Sequence, residues 1–190
     1  MPSVVGTEGV GHVLAVGPGV EHLAVGDLVV PPLYSFTWRE RMVVLAQDLF
    51  ALPPNADLQQ LAMLRVNPAT AALIMSEYVS LQPGDWIIQN AANSGVGRSA
   101  IALAQKRGFR TINFVRRPEL IAQLEESGGD LVLLEDEHAA DRIAAVVGRG
   151  RIALAMDGVS GPATARLSHY LSQKGVLVGY ALEQDDVKRS

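Results

Sequence analysis

The chain has 190 residues and 48% apolar side chains, enough to bury a core in one or two folding units but not in two large ones. A formal charge of −4 with Lys and Arg scattered along the sequence provides no basic stripe for nucleic acid or a membrane surface, which points to a small-molecule partner. Cysteine is absent, so disulfides and thiolate metal sites are excluded, and no apolar run approaches the ~18 residues of a membrane span.

The first 52 residues carry strand signals. Val10 to Val16 is rich in β-branched residues, Asp27 to Val30 follows a turn at Gly26, and Met42 to Leu45 and Leu49 to Leu52 are short apolar runs between polar residues. Pro53, Pro54 and Asn55 end this pattern, and Asp57 with Gln60 three residues on predicts a capping box opening a short helix. Asn67-Pro68, an N-cap followed by proline at the first helical position, predicts a second helix to about Ser80.

From Gly84 the chain alternates. Strands are expected at Trp86 to Gln89, Thr111 to Val115, Leu131 to Leu134, Ile152 to Met156 and Val176 to Tyr180. Helices are expected between them at Gly95 to Arg107, Pro118 to Glu126, His138 to Val147 and Ala163 to Leu171. Such alternation specifies an α/β fold, a Rossmann-type doubly wound parallel sheet starting near Pro68. A six-stranded dinucleotide fold would require one strand more, and the β-rich N-terminal region also reads as partial. The sequence is therefore expected to be a piece of a longer chain that, alone, would expose apolar edges.

Between the first of these strands and its helix lies Ala92-Asn93-Ser94-Gly95-Val96-Gly97, a G-x-G-x-x-G loop with alanine and serine in the first two glycine positions. Small residues let the backbone approach a pyrophosphate, and the helix N-terminus offers free N–H groups and the positive end of a dipole. Small residues at a strand-to-helix turn also serve close packing alone, and both readings stand at this point.

A carboxylate that binds a ribose 2′-hydroxyl is expected ~20 residues after such a loop. Arg116 and Arg117 occupy that region instead. A guanidinium binds a 2′-phosphate that a carboxylate would repel, which favours NADPH over NADH. Two solvated surface charges are the other reading of the pair.

Together with Gly6-Thr7-Glu8-Gly9-Val10-Gly11, Thr37-Trp38, Val66-Asn67-Pro68-Ala69-Thr70-Ala71 and Gln89-Asn90-Ala91-Ala92-Asn93-Ser94-Gly95-Val96-Gly97, these features resemble the 2-enoyl thioester reductases of the zinc-independent medium-chain dehydrogenase/reductase superfamily. These are the mitochondrial-type trans-2-enoyl-CoA reductases and their bacterial relatives. The resemblance implies a partial GroES-like catalytic domain over residues 1–66 and an NADPH-binding Rossmann domain, incomplete at its C-terminus, over 67–190. It places Asn67 at the nicotinamide end of the cofactor, Asn93, Ser94, Gly95, Val96 and Gly97 at the pyrophosphate, Arg116 and Arg117 at the 2′-phosphate, and Tyr180 at a further cofactor contact. The family spaces its two arginines by one residue, whereas here they adjoin. It implies a homodimer for the full-length protein, in the cytoplasm or, in a eukaryote, the mitochondrial matrix.

Zinc-dependent members of the superfamily carry histidine where this chain has Thr7, and they also require cysteine. His12, His22, His138 and His169 share no ligand-like spacing, so no metal is expected. The family's catalytic tyrosine precedes the Gly-x-Glu-Gly motif, and Tyr34, Tyr78 and Tyr170 do not match it, so no catalytic residue is assigned. Trp38 suits either an acyl pocket or packing at a domain seam, and Glu8 suits a buried structural carboxylate.

Three functions are compatible with these residues. The resemblance favours NADPH-dependent reduction of the C=C bond of a 2-enoyl thioester. A reductase of quinones or enones uses the same hydride chemistry, and a cofactor-binding fragment or sensor without catalysis is the third.

Overall fold

The computed structural model describes residues 5–181, and the chain divides into two compact units, 1–69 and 70–190.

In the first unit, β1 (Gly11–His12) pairs antiparallel with β2 (Leu28–Val29), and a single bridge joins Val29 to Ala51. Leu28, Val30, Leu52 and Leu61 form its small core. The four strands expected here shrink to these pieces. Met42 to Leu45 forms no ladder among the described residues, Val43 is fully exposed, and a 3₁₀ turn at Ala46–Asp48 comes directly after it. Apolar alternation specifies a face, but a strand forms only where a second segment supplies hydrogen-bond partners.

Helix α1 (Leu58–Ala62) starts where the Asp57 carboxylate accepts from the Gln60 amide at 2.9 Å, the forward half of the expected capping box. Helix α2 (Asn67–Glu77) takes Asn67 as its first helical residue rather than its cap, and it stops short of Ser80.

The second unit is a five-stranded sheet, all parallel, in the order β5-β4-β3-β6-β7. Its strands are β3 (Trp86–Gln89), β4 (Arg110–Val115), β5 (Leu131–Leu134), β6 (Ile152–Asp157) and β7 (Val176–Gly179). The helices between them are α3 (Gly95–Arg107), α4 (Leu120–Glu126), α5 (Ala139–Val147) and α6 (Pro162–Ser168). All five expected strands and four expected helices are present, with ends moved by at most three residues. The helices after β4 and β6 shorten most.

Strands β3 and β6 are buried along their whole length because helices cover both sheet faces, which explains why they read as continuous apolar runs. Side-chain alternation sorts the core. Trp86, Ile88, Ile112, Phe114 and Leu133 pack with Ile143 of α5 and Leu167 of α6, whereas Ile87, Leu154 and Met156 pack with Ile74 and Met75 of α2 and Ala100 and Ala104 of α3. Each buried Ile or Leu contributes roughly 1.5–3 kcal/mol.

The strand order reverses between β3 and β6. Crevices at the carboxyl ends of such a pair are where open α/β sheets bind ligands.

Candidate functional site

The loop expected to bind phosphate sits at that reversal. Ser94 caps α3 in extended conformation, its hydroxyl accepting from the Gly97 amide at 3.1 Å. The amides of Gly95 and Val96 are thereby left without an acceptor among the described residues. At the far end Gly108, with φ of 76°, terminates the helix after Lys106 and Arg107, whose charges suit its negative end.

Gly97 has a tertiary reason. A Cβ there would fall 2.5 Å from the Ala92 carbonyl oxygen, so α3 lies against the end of β3 only because this position has no side chain. Beneath it the buried Gln89 amide donates to the Gly97 carbonyl at 3.0 Å and to the Asn113 side chain at 2.7 Å. Asn113 in turn donates to the Thr111 hydroxyl at 2.9 Å.

Arg116 and Arg117 come directly after β4, and with Asn93 and Leu120 they line one depression of about 350 Å³. Arg117 lies 3.7 Å from Glu119, an exposed pair, while Arg116 has no ion pair among the described residues. Tyr180 comes directly after β7, its amide bonded to the Asp157 carbonyl at 3.0 Å. Its ring occupies the space a Gly158 side chain would need, since a Cβ there would fall 2.4 Å from the hydroxyl. Among the described residues that hydroxyl is buried beside Ser94 without a hydrogen bond of good geometry, and burial raises it above the usual tyrosine range while Ser94 pulls the other way. Asn93 to Gly97, Arg116, Arg117 and Tyr180 thus belong to the second unit, and Asn67 to the first.

A polar group to which the sequence alone assigns no role underlies these residues. The Asp157 carboxylate, ending β6, accepts from the Asn90 side chain at 2.6 Å, from the amides of Val159 and Ser160 at 3.0 Å each, and from the Thr164 hydroxyl. Burial alone would raise its pKa, but these donors outweigh burial and hold it below the usual carboxylate range. Gln89, Asn113 and Asp157 are buried polar residues at or near the carboxyl ends of the three central strands. For Gln89 and Asp157 the available signal was a polar side chain closing an otherwise apolar strand run.

In the first unit the Gly6 to Gly11 and Thr37-Trp38 motifs meet. The Thr37 and Trp38 amides donate to the carbonyls of Gly6 and Val5 at 3.0 and 2.9 Å, and the Thr37 hydroxyl donates to the Glu8 carbonyl at 2.6 Å. Gly6 has φ of 104°, and a Cβ there would strike Trp38. The Trp38 ring is exposed, and one carboxylate oxygen of Glu8 is buried without a partner. Ring nitrogens of His12 and His22 bond the Gly26 and Ala46 carbonyls at 3.2 and 2.9 Å, while His138 and His169 sit at helix ends.

Residues 1–53 match the alcohol dehydrogenase GroES-like domain. Over 184 residues the chain is 39% identical to the mitochondrial enoyl-[acyl-carrier-protein] reductase of Dictyostelium discoideum, covering 93% of this chain and 53% of that protein. The likeness to this reductase thus runs along nearly the whole chain, and the GroES-like match occupies its first 53 residues. It spans about half the length of the curated relatives it matches. Among solved structures, the mitochondrial 2-enoyl thioester reductase Etr1p/Etr2p heterodimer of Candida tropicalis superposes with a TM-score of 0.85 at 31% identity, over 93% of this chain and 55% of that one. A complex of Etr1p with NADP and crotonyl-CoA superposes equally well, at 0.85 and 32% identity over the same shares. The quinone oxidoreductase of Pseudomonas syringae pv. Tomato reaches 0.79 at 26% identity, again over 93% and 55%.

Proposed function

We propose that this chain belongs to the medium-chain dehydrogenase/reductases, holds NADPH and serves an oxidoreductase that reduces the C=C bond of a 2-enoyl thioester. One observation carries the cofactor reading: Asn93 of the glycine loop and the guanidinium-bearing Arg116 and Arg117 line the same depression. A dinucleotide pyrophosphate suits the Gly95 and Val96 amides at the positive end of α3, and a 2′-phosphate suits the two arginines. NADPH, when bound, supplies hydride to the β carbon of a conjugated carbonyl.

The chain's own residues bind and orient. Arg116, free of an ion pair among the described residues, is assigned the larger share of the 2′-phosphate, with Arg117 shared with Glu119. The Tyr180 hydroxyl is assigned a cofactor contact, which would satisfy a buried polar group. Asn67 is assigned to the nicotinamide end on its motif alone, and no residue is assigned as acid or base.

The substrate reading rests on the names of the relatives, enoyl-[acyl-carrier-protein] reductases, and on the Etr1p complex with crotonyl-CoA. A quinone or enone substrate is the second reading, favoured by the Pseudomonas syringae structure. A homodimer, and a mitochondrial matrix location in a eukaryote, are extensions of the same reading. The relatives are named mitochondrial, one solved relative is a heterodimer, and no helix among the described residues is long and apolar enough to cross a membrane.

The test is loss of NADPH absorbance with a 2-enoyl-CoA in the full-length protein, without added metal. Activity on quinones with none on enoyl thioesters selects the second reading, and loss of activity on chelation with recovery by zinc overturns the zinc-independent one.

A further inference from the structure

The strand ends beneath the glycine loop are joined by side chains as well as by backbone, where the Asn90 main-chain amide donates to the Met156 carbonyl at 3.3 Å. Asn90 lies just past β3 and Asp157 ends β6, the two strands flanking the reversal in sheet order. The Asn90 side chain bonds the end of β6 twice: its Nδ2 donates to the Asp157 carboxylate at 2.6 Å, and its Oδ1 accepts from the Gly158 main-chain amide at 2.7 Å. Both residues are buried.

The backbone turns sharply after Asn90. Ala91 has φ of 47°, a left-handed conformation that a residue with a Cβ keeps only where its surroundings impose it. The turn it makes is closed by the Ser94 amide on the Ala91 carbonyl at 2.9 Å, and this sets where Ser94 starts α3. Ser160, with φ of 69°, is the second such residue against the same carboxylate: its amide donates to Asp157 and its hydroxyl to the Ala181 carbonyl at 2.6 Å. One carboxylate therefore bonds the left-handed turn that enters α6 directly and, through the Asn90 side chain, the residue that precedes the left-handed turn into the glycine loop.

We infer that Asp157 is the positioning residue of the glycine loop, acting through Asn90 on the left-handed turn at Ala91 and so on the direction in which the Gly95 and Val96 amides point. The inference rests on the proposed function, in which those amides hold a nucleotide phosphate. Asp157 does not touch the cofactor in this scheme.

Asn90→Asp is the decisive variant, because it sets a second carboxylate oxygen against the first with no proton between them. Adding Asp157→Asn to it returns a proton to the pair and removes one charge. Three readouts separate the roles: the NADPH dissociation constant by fluorescence titration, the backbone amide chemical shifts of residues 91–97 without nucleotide, and the melting temperature. Asn90→Asp should weaken NADPH binding by about tenfold or more and shift the loop amides, and the double variant should reverse most of both changes. A fall in melting temperature with unchanged NADPH affinity and unchanged loop amides would leave Asp157 a structural residue and overturn the inference. So would a double variant no better than Asn90→Asp. If the wild-type protein binds no NADPH, the nucleotide reading fails, while the loop amides still decide whether Asp157 positions the loop.

Discussion

The side chain of Gln89, fully buried at the end of β3, donates to the carbonyl of Gly97 at 3.0 Å and so ties the sheet to the first turn of α3. The same amide also reaches Asn113 on β4. Replacing Gln89 with leucine keeps the bulk but leaves the Asn113 oxygen without this donor in the core. The cost should be about 1–3 kcal/mol, measured as the change in unfolding free energy in urea, and a loss below a few tenths of a kcal/mol would show that the network is incidental.

Gly97→Ala should act on geometry. The new methyl would sit 2.5 Å from the Ala92 carbonyl oxygen, so α3 must move away from the strand end. Nucleotide affinity is expected to drop by at least about tenfold, with a stability loss of roughly 1–3 kcal/mol from overpacking. Gly17→Ala is the control, since a Cβ there meets nothing within 4 Å and the backbone is not left-handed.

The two arginines should prove unequal. Losing one hydrogen-bonded charge contact weakens NADPH binding by about ten- to a hundredfold, and this is expected for Arg116→Ala. A smaller loss is expected for Arg117→Ala, since Glu119 already shares its guanidinium. NADH should be nearly indifferent to both, and Arg116→Asp should move preference toward it by repelling the phosphate and offering the 2′-hydroxyl an acceptor. Dissociation constants of both nucleotides decide the matter, and equal affinities for them in the wild-type protein would make the pair surface charges.

Stability should fall on the acid side. Hydrogen bonds from Arg151 hold Asp85 below the usual carboxylate range, and the donors around Asp157 do the same there. A folded-state pKa below the unfolded value contributes stability that is present above about pH 4 and is lost as pH falls through the folded value. The urea midpoint should therefore hold through neutral pH and drop below about pH 4. Arg151→Gln should make that acid limb shallower by freeing Asp85, and an unchanged limb would assign it to other carboxylates.

At the alkaline end Tyr180 has the opposite sign. Burial favours its neutral form, so its contribution is intact below about pH 10 and lost as pH rises through the elevated folded value. Tyr180→Phe should flatten that limb, and spectrophotometric titration should show one tyrosine ionising late. Bound nucleotide should alter that late ionisation if the hydroxyl contacts the cofactor.

Much of the second unit was written in the order of residues. The runs Trp86 to Gln89 and Ile152 to Met156 are apolar because both their faces are covered, and the Gly95 to Arg107 segment carries its own cap at Ser94 and its own stop at Gly108. Local chemistry suffices for such elements, and the glycine loop and the arginine pair were legible for the same reason, since both lie at fixed distances from a strand end. Tertiary structure decided what depends on partners distant in sequence. The apolar run at Met42 to Leu45 found no ladder among the described residues, so it is not a strand, whatever its alternation. Asp157 meets Asn90 across 67 positions only because β6 packs beside β3, and a hydrogen bond between residues so far apart leaves no periodicity along the chain for a sequence to display.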